Sequence, residues 1–315
     1  MSVNPKKCTT QSNRGVALLT VMLVVALATT TAIAMASRQQ LDIRRTENTL
    51  YQGQALMYLY GAEIFAHQFL AEDRRDNQID HDDEDWAKAE DYIDFIPVEG
   101  GSITGHIKDL HGRFNLNNLT QPAPAGTVAR DRFERLLRQL DISPDIISTI
   151  QDWLDKDINQ SFPAGAEDDY YLGQEPAYRT ANQNMWSSSE LLLLKDLEKE
   201  TFEKLRPYII ALPVVTPINI NTASIDVLMS LEDNLSKTDI ESLISKRPFN
   251  DVTDFLADNA FAGKNVPPDG LSVSSDYFLI YAQANIGHLQ QTLTSIVERD
   301  ANGGIQILVR SESEL

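Results

Sequence analysis

Cysteine is almost absent from this sequence. The only one among 315 residues, Cys8, sits in the polar head of the chain. No disulfide and no cysteine-ligated metal can therefore form beyond it. Basic charge is also scarce: 27 Lys and Arg against 46 Asp and Glu give a formal net charge of −19. A surface of that sign repels phosphate backbones, so nucleic acid is not an expected partner. The five histidines are scattered without an HExxH pattern, which argues against a zinc enzyme. GxSxG, P-loop and GxGxxG patterns are missing too, and no nucleophile or base accompanies the carboxylates. The chain is not expected to be an enzyme.

A further absence is local. From Val16 to Ala36 no residue is charged. A helix of about 20 residues, rising about 1.5 Å per residue, crosses the roughly 30 Å hydrocarbon core. The run exceeds a secretory h-region of about 7–15 residues. Lys6, Lys7 and Arg14 precede it, which places the N-terminus in the cytoplasm and the bulk of the chain across the membrane. Arg38, Arg44 and Arg45 follow and soften that asymmetry. Nor does proline interrupt residues 38–72. There Leu56, Leu59, Tyr60, Ile64 and Leu70 share one helical face. Glu63 and His67 interrupt that face, and Phe65 and Phe69 lie opposite it. One helix is expected over residues 16–71, with 16–36 in the membrane and the outer half against a soluble domain.

The stretch NRGVALLTVMLVVALATTTAIAMASRQQ thus joins a basic head, a glycine, a spanning helix and a helical extension. It resembles a type IV pilin-like signal. That resemblance implies a prepilin peptidase cut between Gly15 and Val16, with residues 1–15 removed as a leader. Leu18, Leu19, Thr20, Val21, Leu23 and Val24 then belong to the filament-contact and lipid-facing surface. Pilins of this class usually carry Glu as the fifth residue after the cut, and Thr20 stands there instead. In this respect, and along GVALLTVMLVVALATTTAIAMASRQQLDIRRTEN, the sequence is similar to the minor pseudopilin K family of type II secretion. The family implies a place at the tip of the periplasmic pseudopilus, initiating or capping its assembly for export of folded proteins across the outer membrane. It implies other minor pseudopilins in a tip complex, the prepilin peptidase, the inner-membrane secretion platform and membrane lipid as partners. It implies a single-pass inner-membrane protein whose bulk is periplasmic. The alternative is a membrane-anchored periplasmic binding or enzymatic domain with an uncleaved signal anchor.

After the helix, Glu72–Asp91 is dense in acid and is expected to be a solvated loop. An EF-hand starting at Asp76 puts His81 where Gly is needed and Ala87 where the bidentate Glu belongs. Ile103, Gly105 and Ile107 alternate as in a strand. DYFLIYAQANI, QTLTSIVERD and GGIQILVRS read the same way, with Asp300–Gly304 as a hairpin turn. The expected class is α+β: a long N-terminal transmembrane, pilin-like helix and a small antiparallel sheet interrupted by a large α-helical insertion. Residues 72–118 and 275–315 make the α+β domain, and 119–274 the insertion. Within the insertion, FNLNNL and ININ each precede two helical patterns, an internal echo of helix-hairpin-helix or SAM-like units. The second hairpin, LEDNLSKTD, lacks Gly and is acidic, so it suits protein packing rather than phosphate.

The stretch DWLDKDINQSFPAGAEDDYYLGQEPAYRTANQNMW gathers carboxylates in a loop broken by Pro and Gly. Ca²⁺ takes about 6–8 oxygen ligands. The chemistry alone admits either a cation or a solvated acidic loop that Arg179 partly neutralises. The family resemblance implies bound calcium, with Asp155, Asp157, Glu167 and Asp168 as ligands and Asp169 and Asn182 beside them.

Overall fold

The computed structural model of the chain describes residues 14–88 and 95–312. Cys8 and residues 1–13 of the expected leader lie outside them. Helix α1 (Arg14–Asp76) has 63 residues, about 95 Å at 1.5 Å per residue. It ends at Asp76 rather than at 71. Every described side chain from Val16 to Leu50 is exposed. Beyond Leu50 the helix docks on a five-stranded sheet made of β1 (Ile96–Val98), β2 (Gly101–Asp109), β7 (Tyr277–Ile286), β8 (Leu289–Arg299) and β9 (Ile305–Ser311). The sheet is antiparallel throughout and its order is β1-β2-β7-β8-β9.

Ala55, Leu59, Glu63, Ala66 and Leu70 form the buried stripe of α1, spaced by three or four residues as one helical face requires. The alanines bring the helix axis close to the pleat. Ala55 and Leu59 pack on Ala282, Ala284, Ile286 and Leu293, and Ala66 and Leu70 on Ile107, Phe278, Ile280 and Val297. Two expectations are corrected here. Ile64 is 67% exposed, on the side away from the sheet, whereas Glu63, the apparent interruption, is 2% exposed. Its carboxylate accepts from Ser295 Oγ and from Arg310 Nη2 at 2.5 Å, so the buried charge is paired. At the β7–β8 turn Gly287 has φ +58°, and a Cβ there meets the Tyr51 ring at 2.8 Å. The turn seats against α1 only because the side chain is missing.

The insertion leaves the sheet after β2 and returns at β7. Its elements are β3 (Phe114–Asn115), α2 (Ala125–Gln139), α3 (Ile146–Leu154), α4 (Asp168–Tyr171), α5 (Lys199–Leu205), β4 (Ile209–Ile210), β5 (Ile218–Asn219), α6 (Ile225–Met229), α7 (Lys237–Ile244), α8 (Val252–Leu256) and β6 (Leu271–Ser272). It begins earlier than residue 119. Phe114 and Leu116 are buried with Phe133, Leu136 and Ile209 in the insertion's own core, not beneath the sheet.

The sequence echo has a hydrogen-bond counterpart. Asn115 Oδ1 accepts from Asn117 N, and Asn219 Oδ1 from Asn221 N. Asn117 then brackets Met185, accepting from its N–H at 2.9 Å and donating to its carbonyl at 2.9 Å. Asn221 does the same to Phe249, at 2.8 and 3.0 Å. Each strand that carries the first Asn pairs in parallel, β3 with β4 and β5 with β6. Two Asn-x-Asn units thus satisfy buried backbone groups that no regular ladder reaches.

The acidic segment after α1 is not a solvated loop. Asp80, Glu84 and Trp86 are buried. Trp86 packs edge-on against Phe278 and donates Nε1–H to Glu84 at 2.7 Å. Asp80 accepts from Arg299 and from Ser275 N. Composition reported the acid but not the cation that neutralises it from the far end of the chain.

His111, at the start of the insertion, is 1% exposed and stacks on Tyr277. Burial lowers its pKa to about 4, against an opposing pull from Asp276 and Asp80. The unfolded chain takes up a proton near pH 6.5 and the folded one does not. Stability present above pH 6.5 is therefore lost as pH falls toward 4, by about 3 kcal/mol. Urea melts at pH 6.5 and 4.5 are expected to show a shallower acid loss for His111→Gln than for the parent.

Candidate metal centre

Helix α3 ends where Asp155 turns extended. The loop that follows is tied back to the helix by small polar groups. Asp152, fully buried, accepts Ser161 N–H at 3.1 Å, and Ser148 Oγ accepts Ala164 N–H at 3.1 Å. Gly165 lies against Asp152, where a Cβ would come within 2.2 Å of Oδ2. Downstream, Asn182 N–H donates to Trp153 O at 3.0 Å. Trp153 stacks edge-on with Tyr171 and donates to Glu190 Oε2. The acidic loop is thus pinned on both sides.

The pinning brings Asp155, Asp157 and Glu167 together: one carboxylate oxygen of each lies within 4.8 Å of the others. Glu167 is 4% exposed, and neither of its oxygens has a hydrogen-bond partner. Burial first, then the charges of Asp152, Asp155, Asp157 and Asp168, push its pKa up to about 7. Burial likewise raises that of Asp155. Asn182, at φ +49°, also keeps a buried Oδ1 without a partner. Unpartnered buried oxygens beside clustered carboxylates are a hard-cation donor set.

Two expected ligands lie outside the trio. Asp168 accepts from Thr180 N–H and Oγ–H at 3.1 and 3.0 Å and pairs with Arg179 at 3.2 Å. Asp169 is exposed on the first turn of α4. Asp152, not singled out by sequence, holds the loop instead. Its position one helical turn before Asp155, on the buried face of α3, is the signal that could have found it.

A second trio, Asp73, Asp80 and Glu84, has the same oxygen spacing. There the cation is supplied by protein. Arg299 is buried and bonds Asp73 Oδ2 at 2.7 Å, Asp80, Leu70 O and Ser275 O, with its guanidinium 4.6 Å over the Phe278 ring.

At the N-terminal end of the helix, Gly15 and Val16 lie in the first turn of α1. Leu18, Leu19, Val21, Leu23 and Val24 are 59–68% exposed. Thr20 Oγ–H donates to Ala17 O at 2.9 Å, so its polar group is satisfied within the helix. α1 contains an 18-residue stretch of mean hydropathy 2.4, long and apolar enough to cross a membrane.

Residues 112–214 and 218–274 match two family descriptions, both type II secretion system (T2SS), protein K. Their junction falls between the two Asn-x-Asn units. The chain is 34% identical to the type II secretion system protein K of Pseudomonas aeruginosa, over 95% of this chain and 93% of that one. It is 32% identical to the protein K of Aeromonas hydrophila, over 94% and 96%. Among solved structures it is similar to a chain of the GspK–GspI–GspJ complex from the type 2 secretion system of enterotoxigenic Escherichia coli. That likeness has a TM-score of 0.76 at 27% identity and covers 86% of this chain and all of the other.

Proposed function

This chain belongs to the type II secretion system protein K family, and on that premise we propose that it is a structural subunit at the tip of the periplasmic pseudopilus. It is made as a precursor, trimmed by the prepilin peptidase between Gly15 and Val16, and held in the inner membrane by Val16–Ala36 with its bulk in the periplasm. It joins sibling minor pseudopilins of the kind that accompany its structural relative, and initiates or caps the filament that exports folded proteins. It performs no chemistry on a substrate.

The observation that carries this reading is the division of α1. From Ala55 to Leu70 the helix gives a buried stripe to its own sheet, whereas from Val16 to Leu50 every side chain is exposed. The uncharged part of that exposed length, Val16–Ala36, is an apolar surface that needs lipid or other helices to cover it. Thr20 supports the tip position. Its hydroxyl is already bonded within the helix, so it makes no demand on a neighbour, whereas a Glu there needs a partner in the membrane.

Calcium belongs to the same reading. Asp155, Asp157 and Glu167 would hold it, with Asn182 beside them. The ion supplies positive charge that offsets carboxylate repulsion and fixes the loop from Asp155 to Glu167.

The test is the intact mass of the chain extracted from membranes, with and without a coexpressed prepilin peptidase. Loss of residues 1–15 with the apolar helix retained is expected. An unchanged mass overturns pilin-type processing and leaves a plain signal anchor.

A further inference from the structure

We propose that the seam between the outer face of the sheet and the first unit of the insertion is an acid-recognition pocket that takes a carboxylate-bearing segment of a sibling minor pseudopilin. This rests on the pseudopilin reading above.

The pocket has a volume of about 620 Å³, within the range of roughly 300–1,000 Å³ typical of ligand sites. Lys108 reaches it from β2, Arg113 from the crossover into the insertion, and Arg206 from the end of α5. Among the described residues, Glu203 is the acid that shares the lining, 3.8 Å from Arg206. In a chain of net charge −19, this is a local reversal of sign. Among the described residues, no carboxylate lies within 4 Å of Lys108 or Arg113. Arg113 is half-buried. Burial first and the like charge of Arg206 second hold its guanidinium below the usual arginine range, against Asp109. An incoming carboxylate gives it the bidentate partner its fork geometry fits.

The rest of the lining chooses among anions. The His106 ring stacks on Tyr281 at 5.0 Å, with Leu279 beside them. An aromatic and aliphatic floor under point cations suits an acid head on an apolar stem, as in a Glu or Asp of a peptide. A bare phosphate prefers converging N–H groups. Lipid headgroups are out of reach. Thr294 lines the pocket, and its neighbour Ser295 bonds Glu63 on α1. Glu63 lies 27 residues beyond Ala36, about 40 Å along the helix at 1.5 Å per residue. The Debye length is only about 8–10 Å. A sibling anchored in the same membrane is presented to this face at high effective concentration, so a few charged contacts suffice.

The experiment uses the full chain in detergent and the two sibling minor pseudopilins of its own secretion system. Their affinity is measured at several salt concentrations for the parent, Lys108→Glu and Arg113→Gln. Lys108 is exposed, so its variant is expected to fold, which a melting curve checks. Both variants are expected to bind about 10-fold more weakly, with a shallower salt dependence. Parent-like binding by both variants overturns the pocket and leaves the pseudopilin reading intact. Failure of the parent chain itself to bind either sibling overturns that reading, and the pocket with it.

Discussion

Replacing Glu167 with Gln is expected to shift stability in opposite directions with and without calcium. In chelator at pH 7.5, the parent buries an ionised carboxylate beside Asp155 and Asp157. Gln removes that charge, so the metal-free variant melts above the metal-free parent. With calcium the order reverses. An ion at 100 times its Kd contributes about 2.7 kcal/mol, roughly 5–10 °C in Tm for a folded unit of this size, and the variant loses most of it. The pH dependence has a definite sign. Glu167 is raised from 4.5 to about 7 on folding. Stability of the metal-free chain is therefore fully present below about pH 4.5 and falls as pH rises toward 7. Calcium affinity rises over the same window, because the metal displaces the proton. Differential scanning fluorimetry in calcium and in chelator, at pH 5 and 7.5, reads all four cases. Identical melting of parent and variant throughout overturns the site.

The largest loss of stability is expected from Arg299→Leu. Arg299 ties the end of α1, the acidic segment, the return from the insertion and strand β8 to one another. Removing it leaves Asp80 buried and Asp73 half-buried without their cation. Breaking one side of a buried pair costs about 3–5 kcal/mol. Even with Arg299 present, burial pushes both carboxyls up to about 6. Without it they rise further and take up protons. A raised folded pKa contributes stability below the unfolded value and loses it as pH climbs through the folded one. The deficit of the variant is thus greatest above pH 7 and shrinks toward pH 5. Arg299→Lys is expected to fall between the two, because one ammonium cannot span two carboxylates and two carbonyls. Denaturant melts at pH 7.5 and 5 check this, and an equal deficit at both pH values contradicts it.

What the sequence disclosed follows the range of the interaction. The apolar half of α1 was legible because an uncharged run needs no partner to be recognised. Strands β2, β7, β8 and β9 were legible from two-residue alternation, and the twin Asn-x-Asn units from their own spelling. The docked face of α1 was misread because the partners of Glu63, Ser295 and Arg310, lie more than 230 residues away. A buried Glu and an exposed Ile64 both break the apolar pattern that periodicity relies on. The acidic segment was misread for the same reason, since Arg299 is 219 residues from Asp80. In the acidic loop after α3, acid density located the region where Asp155, Asp157 and Glu167 cluster. Asp152, Asp155 and Asp168 nevertheless look alike in sequence, and only the fold turns Asp168 toward Thr180 and Arg179 and points Asp152 back at its own loop.

The most direct test of the account is secretion itself. Deleting this chain in its own host and following a type II substrate into the medium reads its function without purification. The account predicts that the substrate stays in the periplasm and that the parent chain, restored from a plasmid, returns it to the medium. Undiminished secretion after deletion contradicts the proposed role in the pseudopilus.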